Sequence, residues 1–221
     1  MNTKFLFLSF FLMMFTANQL YSQTNHWVFG VEAGANYSNS TEETAPLDKK
    51  KFILYRVGIE VNYLLTSNIF LQSGVMYSAK GFGSKGAGQI GGMNIDGKID
   101  LNQQVLQFPL YLGYAINLRN NKLNFIAGPY VAYGIGGKTK ANGLINGNPF
   151  NKKVDTFGDG NILKKFDFGL GLGVGYEIKH WYVKANYELG LLDIGHSNIM
   201  GGKLSYKNRI ASLSLGYHFS L

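Results

Sequence analysis

The sequence predicts an all-β protein, an eight-stranded antiparallel transmembrane β-barrel in up-and-down order with long extracellular loops. Eight segments alternate apolar and non-apolar residues with a period of two. Most are about ten to fourteen residues long, which suits strands that cross a bilayer at a tilt. Long and short connections alternate between them, as in outer-membrane barrels. An even number of antiparallel strands lets the sheet close without leaving an edge in lipid.

The clearest alternation occurs in residues 166–178. Its even positions are Phe, Phe, Leu, Leu, Val, Tyr and Ile, and its odd positions are Asp, four Gly and Glu. Glycines in a row on a water-facing surface would cost backbone entropy without a gain. Inside a narrow barrel the same glycines leave room for large side chains opposite. We therefore predict that the apolar face contacts lipid and that the glycine face lines the lumen.

The chain begins with a predicted secretory signal peptide at residues 1–22. Lys4 precedes the apolar run Phe5–Phe15, and the small residue Ser22 stands before the predicted cleavage site. The remaining residues, 23–221, form the predicted barrel domain. No later stretch approaches the roughly 20 apolar residues that a transmembrane helix needs. Export without a helical anchor leaves the periplasm, the outer membrane or the exterior, and the barrel pattern of the strands then predicts the cell outer membrane.

The predicted strands share an apolar outward face and an inward face of Gly, Asn, Gln, Ser and scattered charges. They cover residues 26–37, 52–64, 69–80, 101–116, 123–136, 166–178, 181–191 and 208–221. The long polar connections, predicted to face the outside, are 38–51, 81–100, 137–165 and 192–207. The short connections are 65–68, 117–122 and 179–180. Aromatic residues near strand ends, expected to form interface girdles, are Trp27, Tyr37, Tyr63, Tyr77 and Trp181.

Composition narrows the chemistry that the chain can carry. There is no cysteine, which excludes disulfides, thiolate metal sites, cysteine nucleophiles and a lipid-anchored N-terminus. The 21 basic and 13 acidic residues give a net charge of +8. This excess is typical of a protein with anionic neighbours such as lipid phosphates. No basic helix or aromatic-basic motif accompanies it, so we expect no nucleic-acid partner.

Eight charged residues fall on the predicted inward face. We expect them to pair in a structural network, because the lumen of an eight-stranded barrel is just filled by side chains. A narrow path for protons or ions is the alternative. The residues of this predicted interior charge network are Glu32, Arg56, Glu60, Lys80, Asp167, Glu177, Lys184 and Glu188.

Four strand motifs recur in order along the chain. They are residues 106–114 (LQFPLYLGY), 127–133 (AGPYVAY), 165–176 (KFDFGLGLGVGY) and 182–193 (YVKANYELGLLD). Together they resemble the PorT-type outer-membrane β-barrel family of Bacteroidetes. The resemblance covers nearly the whole mature chain and implies an eight-stranded outer-membrane barrel. The family's namesake is implicated in secretion of proteins through the type IX route, and most relatives have no assigned role.

Two motifs invite a catalytic or cofactor-binding interpretation. Asp193, His196 and Ser197 together have the residue types of a hydrolase site, but three common polar residues in one loop do not define a triad, which depends on geometry. Gly81–Gly86 matches the spacing G-x-G-x-x-G, yet no helix follows to hold a pyrophosphate, so we interpret it as a flexible loop. We expect no catalytic residue and no cofactor.

The histidines and prolines lead to two smaller predictions. His26, His180 and His218 lie at the ends of different strands, so no metal site is expected. Pro109 and Pro129 lack a ladder donor within a closed barrel, which predicts a local bulge or a missing ladder bond where the two lie opposite each other.

The longest connection, 137–165, is rich in lysine. Such a cluster at the outer rim is expected to bind lipid phosphates, or to recognise a partner protein or surface polyanion. Its lysines are Lys138, Lys140, Lys152, Lys153, Lys164 and Lys165.

The leading hypothesis is a monomeric, non-catalytic outer-membrane barrel with a structural, interaction or secretion-accessory role. Its expected partners are outer-membrane lipid, lipopolysaccharide and a protein bound through the extracellular loops. One alternative is a secreted lipocalin-like barrel whose apolar face holds a ligand. The other is an outer-membrane barrel enzyme that acts on lipid or peptide.

Overall fold

A computed structural model describes residues 26–40, 48–50, 52–90, 93–158, 162–195 and 205–220. The predicted signal peptide at 1–22 lies outside them. Within these ranges no helix is long and apolar enough to cross a membrane. The strands found there are β1 (Trp27–Ser40), β2 (Asp48–Lys50), β3 (Phe52–Leu64), β4 (Ile69–Ile90), β5 (Met93–Leu118), β6 (Asn121–Gly136), β7 (Lys138–Ile145), β8 (Asn148–Asp155), β9 (Phe166–Ile178), β10 (Trp181–Gly190) and β11 (Asn208–Ser220).

Eight of these strands close into a ring in the order β1, β3, β4, β5, β6, β9, β10 and β11, with β11 paired back to β1. Every neighbouring pair in the ring is antiparallel. The predicted eight-stranded up-and-down barrel is therefore confirmed. Closure pairs the first strand with the last, so the backbone groups of the ring are satisfied within the sheet, as a bilayer requires.

The outer wall of the ring is apolar. Leu172, Leu213 and Leu112 are 60%, 59% and 58% exposed, although they are large aliphatic side chains near the middle of their strands. Charged and amide side chains point inward and are buried. The predicted orientation is confirmed, and the lipocalin-like alternative, which needs an apolar interior, is wrong.

The inward glycines of β9 lie beneath aromatic rings from β6, the adjacent strand, and from β5, the strand next to β6. A Cβ added at Gly169 would lie 2.7 Å from the Tyr130 ring, and one added at Gly171 would lie 2.9 Å from Cζ of Tyr111. Tyr130 and Tyr111 are only 1% and 4% exposed. The glycines thus make room for two large interior side chains, as the sequence predicts.

The height of the wall matches a membrane. The 13 residues of β9 extend for about 40 Å at the usual strand rise, or about 30 Å along the axis at a tilt near 40°. Aromatic pairs stand at both ends, as predicted for interface girdles. At the short-turn end the ring centroids of Trp27 and Tyr63 are 4.6 Å apart. At the long-loop end those of Tyr55 and Tyr77 are 5.8 Å apart.

The segment 81–100, predicted to be a polar loop, is instead a continuation of the wall. β4 and β5 stay paired beyond the ring, from Gly81↔Asn102 to Ile90↔Met93. Gly81–Gly86 belongs to this ladder, so its interpretation as a flexible loop is wrong. The backbone groups of these residues are satisfied by pairing with each other, which requires no apolar face.

The segment 137–165 also contains strands rather than only loop. β7 pairs with β5 on one side and with β8 on the other. Asn146 and Gly147, with φ of 50° and 82°, form the tight turn between β7 and β8. We call the paired residues beyond the ring, namely 81–90, 93–101, β7 and β8, the extension.

A bulge joins the barrel to the extension. The pairing of β5 shifts by one residue between Gln104 and Val105, and Gly137 connects β6 to β7 with φ of 140°. Only glycine adopts this backbone readily. The extra residue reverses which side chains of the β6–β7 line face outward, so that Thr139 is buried while Lys138 and Lys140 are exposed.

The two strand prolines interrupt the ladder as predicted. Between β5 and β6 the pairing stops at Pro109↔Tyr130 and resumes at Leu112↔Ala127 in the same register. Between β4 and β5 it is also interrupted beside Pro109. The prediction is confirmed as missing ladder bonds, because proline has no N–H to donate. The bulge lies elsewhere, at Gln104.

Candidate functional site

The inward face of the barrel carries all eight charged residues of the predicted interior charge network. Each is between 0% and 6% exposed. The alternation of the strands brings them to one lumen, although they come from β1, β3, β4, β9 and β10. Charges this deeply buried need partners, because the cost of removing an ion from water is several kcal/mol.

The upper half of the lumen holds three linked ion pairs. Lys80 Nζ lies 3.3 Å from Glu188 Oε2. Glu188 Oε1 lies 3.2 Å from Arg56 Nη1, and Arg56 Nη2 lies 3.2 Å from Glu32 Oε1. Each cation therefore touches a carboxylate, and Glu188 is shared between two cations.

The lower half continues the same alternation. Lys184 contacts Glu32 and lies 2.5 Å from Glu60 Oε2. The imidazole of His218 then bridges two carboxylates, 2.8 Å from Glu60 Oε1 and 3.0 Å from Glu177 Oε2. The result is one continuous chain of basic and acidic groups along the barrel. It ends where Glu177 meets Lys122, 3.6 Å away at the lower rim.

Neutral side chains complete the network. Gln107 accepts a hydrogen bond from Lys80 at 2.9 Å and donates one to Glu188 at 2.8 Å. Arg56 donates to the hydroxyl of Ser212 at 2.8 Å. Asp167 stands beside the chain and accepts a hydrogen bond from Asn208 at 2.8 Å.

The charges of the network nearly cancel. Four bases (Arg56, Lys80, Lys122 and Lys184) face five acids (Glu32, Glu60, Asp167, Glu177 and Glu188), which leaves 4 − 5 = −1. Protonation of His218 between its two carboxylates brings the sum to zero. The network can thus exist in the lumen without a bound counter-ion.

This arrangement favours a plug over a proton path. Lys80 and Glu188 are 0% and 1% exposed, so the upper lumen is filled by side chains. A proton relay through the chain would have to pass Arg56, whose guanidinium does not release a proton in proteins. What the geometry does provide is a cross-linked interior that ties β1, β3, β4, β10 and β11 together.

Two residues of this line of ion pairs, His218 and Lys122, are absent from the predicted interior charge network. His218 lies on the inward face of β11, as its alternation with Ser212 and Ser214 indicates, but it is not among the eight residues predicted for the network. Lys122 falls in the predicted turn 117–122, whereas β6 already begins at Asn121. The alternation of side chains along β11 is enough to place His218 in the lumen. Placing Lys122 there requires knowing that β6 begins at Asn121.

The hydrolase-like group is only partly within the described chain. Asp193 Oδ1 accepts hydrogen bonds from the backbone N–H of Gly195 at 3.1 Å and of Tyr206 at 2.8 Å. His196 and Ser197 lie outside the described residues. The Asp193 carboxylate therefore holds the two ends of this loop together.

The other two described histidines, His26 and His180, have different neighbours. His26 Nδ1 lies 3.0 Å from the carbonyl oxygen of Leu64, and the His180 ring lies 5.6 Å from that of Tyr217. Across the residues that the structure covers, no group of three or more His, Asp or Glu side chains is arranged to hold a metal ion.

The predicted lysine cluster is split by the fold. Lys138, Lys140, Lys152 and Lys153 lie on the β7–β8 hairpin of the extension, where Lys140 pairs with Lys153 across the ladder. The remaining two, Lys164 and Lys165, precede β9. All six are exposed.

A closed ring with an apolar outer wall, two aromatic girdles and paired charges inside defines a membrane β-barrel of the outer-membrane class. The chain belongs to the family described as outer membrane protein beta-barrel domain, whose model matches residues 18–195. It is therefore an outer-membrane protein. Among curated protein sequences no match is found.

Several solved outer-membrane barrels are similar in fold. Ail, the attachment invasion locus protein of Yersinia pestis, is 16% identical over 88% of this chain and 100% of that chain, with a TM-score of 0.44. OprG from Pseudomonas aeruginosa is 11% identical over 88% and 96%, with a TM-score of 0.45. The outer membrane enzyme PagL is 14% identical over 84% and 98%, with a TM-score of 0.43. At such identities the likeness concerns the fold and carries nothing about activity.

Proposed function

We propose that the protein is a non-catalytic outer-membrane barrel that acts as a PorT-like accessory of protein secretion, with the extension as its contact surface. The observation that carries this proposal is the combination of a plugged lumen with a paired wall that continues beyond the membrane. A plugged barrel transports nothing through its lumen, so we expect it to act through its exposed surface outside the membrane.

The edge of the extension is suited to bind an extended segment of another protein. The strand order of the sheet ends at β8, so one side of this strand has no neighbour among the described strands. Most of its side chains are exposed. A partner can add a strand to such an edge through main-chain hydrogen bonds. Lys152 and Lys153 on the same strand favour an acidic segment and disfavour pairing with a second copy.

The proposal that the protein is not an enzyme is supported by the contacts of its buried polar groups. Six members of the interior charge network are ion-paired with each other. Glu177 is bound by His218 and Lys122, Asp167 accepts from Asn208, and Asp193 accepts from two backbone N–H groups. The proposal also includes a monomer whose outer wall contacts lipid and lipopolysaccharide, since a closed ring needs no second chain to satisfy its strands.

A shortened hairpin tests the proposal more sharply than gene deletion alone. Removing the paired residues 142–144 and 149–151 keeps the Asn146–Gly147 turn and shortens the hairpin by about 10 Å. We expect cells with this variant to lose the same secreted and surface proteins as cells that lack the gene, while the barrel still inserts. The readout is quantitative proteomics of the medium and the cell surface.

The matched control keeps the hairpin length and replaces Asn142 and Asn151 by Ser. It should secrete like the wild type. Normal secretion by the shortened variant, or by the gene deletion itself, would refute the secretion role.

A further inference from the structure

A cavity of about 420 Å³ lies where the extension leaves the barrel. Its lining includes the first residues of β3, the segment 100–104 of β5 and the lysines of the β7–β8 hairpin. The ladder between β3 and β4 begins only at Arg56↔Ser78, so the start of β3 stands apart from β4 and the wall opens there. The volume is in the range of small-molecule binding sites.

Three ammonium groups converge on this cavity. Lys138, Lys140 and Lys153 all line it, and Lys140 is paired with Lys153 on the neighbouring strand. In the described parts of the chain, no ion pair involves any of the three. The one-residue shift between β5 and β6, opposite Gln104 and Val105, turns the first two lysines outward, so this backbone irregularity creates the cluster. Such a site attracts an anion.

The cavity also offers acceptors for hydroxyl groups. Asp100 contacts Lys98 through Oδ2, but its Oδ1 atom is buried without a hydrogen-bond donor among the described residues. A buried carboxylate oxygen in that state costs free energy until a donor reaches it. A saccharide attached to a phosphate brings several hydroxyl donors next to the anion. The amides of Asn102 and Gln104 stand on the same face of β5.

The height of the cavity places it next to lipid head groups. Leu106 pairs with Tyr133, an exposed aromatic residue of the long-loop end, and Gln104 is two residues beyond it on the same strand. The lining therefore begins about 5 Å above that level along the axis. Phe52 and Leu54 add an apolar side. The lining therefore fits a ligand that carries an anionic group, hydroxyl groups and an adjoining apolar part.

We propose that this cavity binds a phosphorylated saccharide, the head group of an outer-leaflet glycolipid. The lysines bind the phosphate, Asp100 Oδ1 accepts from a sugar hydroxyl, and Phe52 and Leu54 contact the apolar part. The inference rests on the outer-membrane location within the proposed function and not on the secretion role. The shortened hairpin above retains all three lysines, so the two proposals fail separately.

The test compares two triple variants of the full chain that remove the same charge. Lys138, Lys140 and Lys153 are replaced by Gln in one, and Lys152, Lys164 and Lys165 in the other. Binding of lipid A and of dephosphorylated lipid A is measured by native mass spectrometry in detergent. Each lysine near an anionic lipid surface contributes about fivefold to affinity, so the first variant should bind lipid A about 100-fold more weakly. The second should stay within a few-fold of the wild type.

A second measurement tests the role of the carboxylate and the source of the saccharide. The protein in nanodiscs of neutral lipid is titrated with glucosamine 1-phosphate and with inorganic phosphate. The wild type should prefer the sugar phosphate, and Asp100→Asn should lose that preference while it still binds phosphate. Lipid A should bind more tightly than glucosamine 1-phosphate, and equal affinities would contradict the lipid-linked source. Equal losses in both triple variants would overturn the site, since general charge attraction alone predicts that result.

Discussion

Replacement of Glu188 by Ala is expected to lower the free energy of unfolding of the barrel by about 3–5 kcal/mol. Glu188 is 1% exposed and is shared between Arg56 and Lys80 at 3.2 and 3.3 Å. Its removal leaves Lys80 without a paired carboxylate among the described residues, in contact with Gln107 and the face of the Tyr130 ring, and deprives Arg56 of one of two carboxylates. A buried cation without its anion costs more than the pair itself contributes. Urea titration of the refolded barrel, followed by tryptophan fluorescence, measures the loss.

Two further variants separate this mechanism from a general sensitivity to mutation. Lys122→Ala breaks an ion pair whose lysine side chain is 52% exposed, so it should cost at most about 1 kcal/mol. Glu188→Leu combined with Lys80→Met removes the anion together with one of its cations and should recover much of the loss. Equal unfolding curves for Glu188→Ala and Lys122→Ala would show that the network does not cross-link the lumen.

Replacement of Leu172 by Arg is expected to destabilise the inserted barrel by about 2–4 kcal/mol, the cost of a cation on the lipid face near the bilayer midplane. Leu172 is 60% exposed and sits in a row with Leu112 and Ala127 across three neighbouring strands. In water, the same surface substitution would change stability little. The size of the loss therefore shows whether the outer wall contacts lipid or water. Urea unfolding of the protein in vesicles measures it.

Leu65 provides the matched control for this substitution. It is 51% exposed but lies in the short turn between β3 and β4, beyond the lower girdle. Leu65→Arg should cost no more than about 1 kcal/mol. Equal costs at positions 65 and 172 would contradict a membrane-facing wall.

The sequence predicts the strands of the barrel closely where one face meets lipid. β3 and β9 have the predicted bounds, 52–64 and 166–178, because residues alternate without exception in β9 and through the middle of β3. The strands of the extension are not predicted, because they lie outside the membrane. Above the membrane no lipid requires an apolar face, so the pairing of 81–90 with 93–102 needs no apolar period in the sequence. Only Asn146–Gly147, a strong hairpin turn signal, indicates the β7–β8 hairpin in the sequence.

The candidate sites divide in a similar way. Parity alone assigns Glu32, Arg56 and Glu188 to the lumen, because side chains alternate across a strand. Which charges pair depends on the relative shift of neighbouring strands when β1 closes on β11. The alternation of residues along one strand does not predict this shift. The lysine cavity depends on the bulge opposite Gln104 and Val105, which reverses the parity of Lys138 and Lys140. One inserted residue decides whether those lysines point outward or inward.

The orientation of the wall is tested most directly by spin labels at single cysteines, which are unique because the chain has no cysteine of its own. Nitroxides are attached at Leu112→Cys and Leu172→Cys in bilayer nanodiscs, with Lys152→Cys on the extension as the water-exposed reference. The account predicts that the first two collide more often with lipid-soluble oxygen than with a water-soluble nickel complex, and that the reference shows the reverse. Preferential collision with nickel at positions 112 and 172 would contradict it.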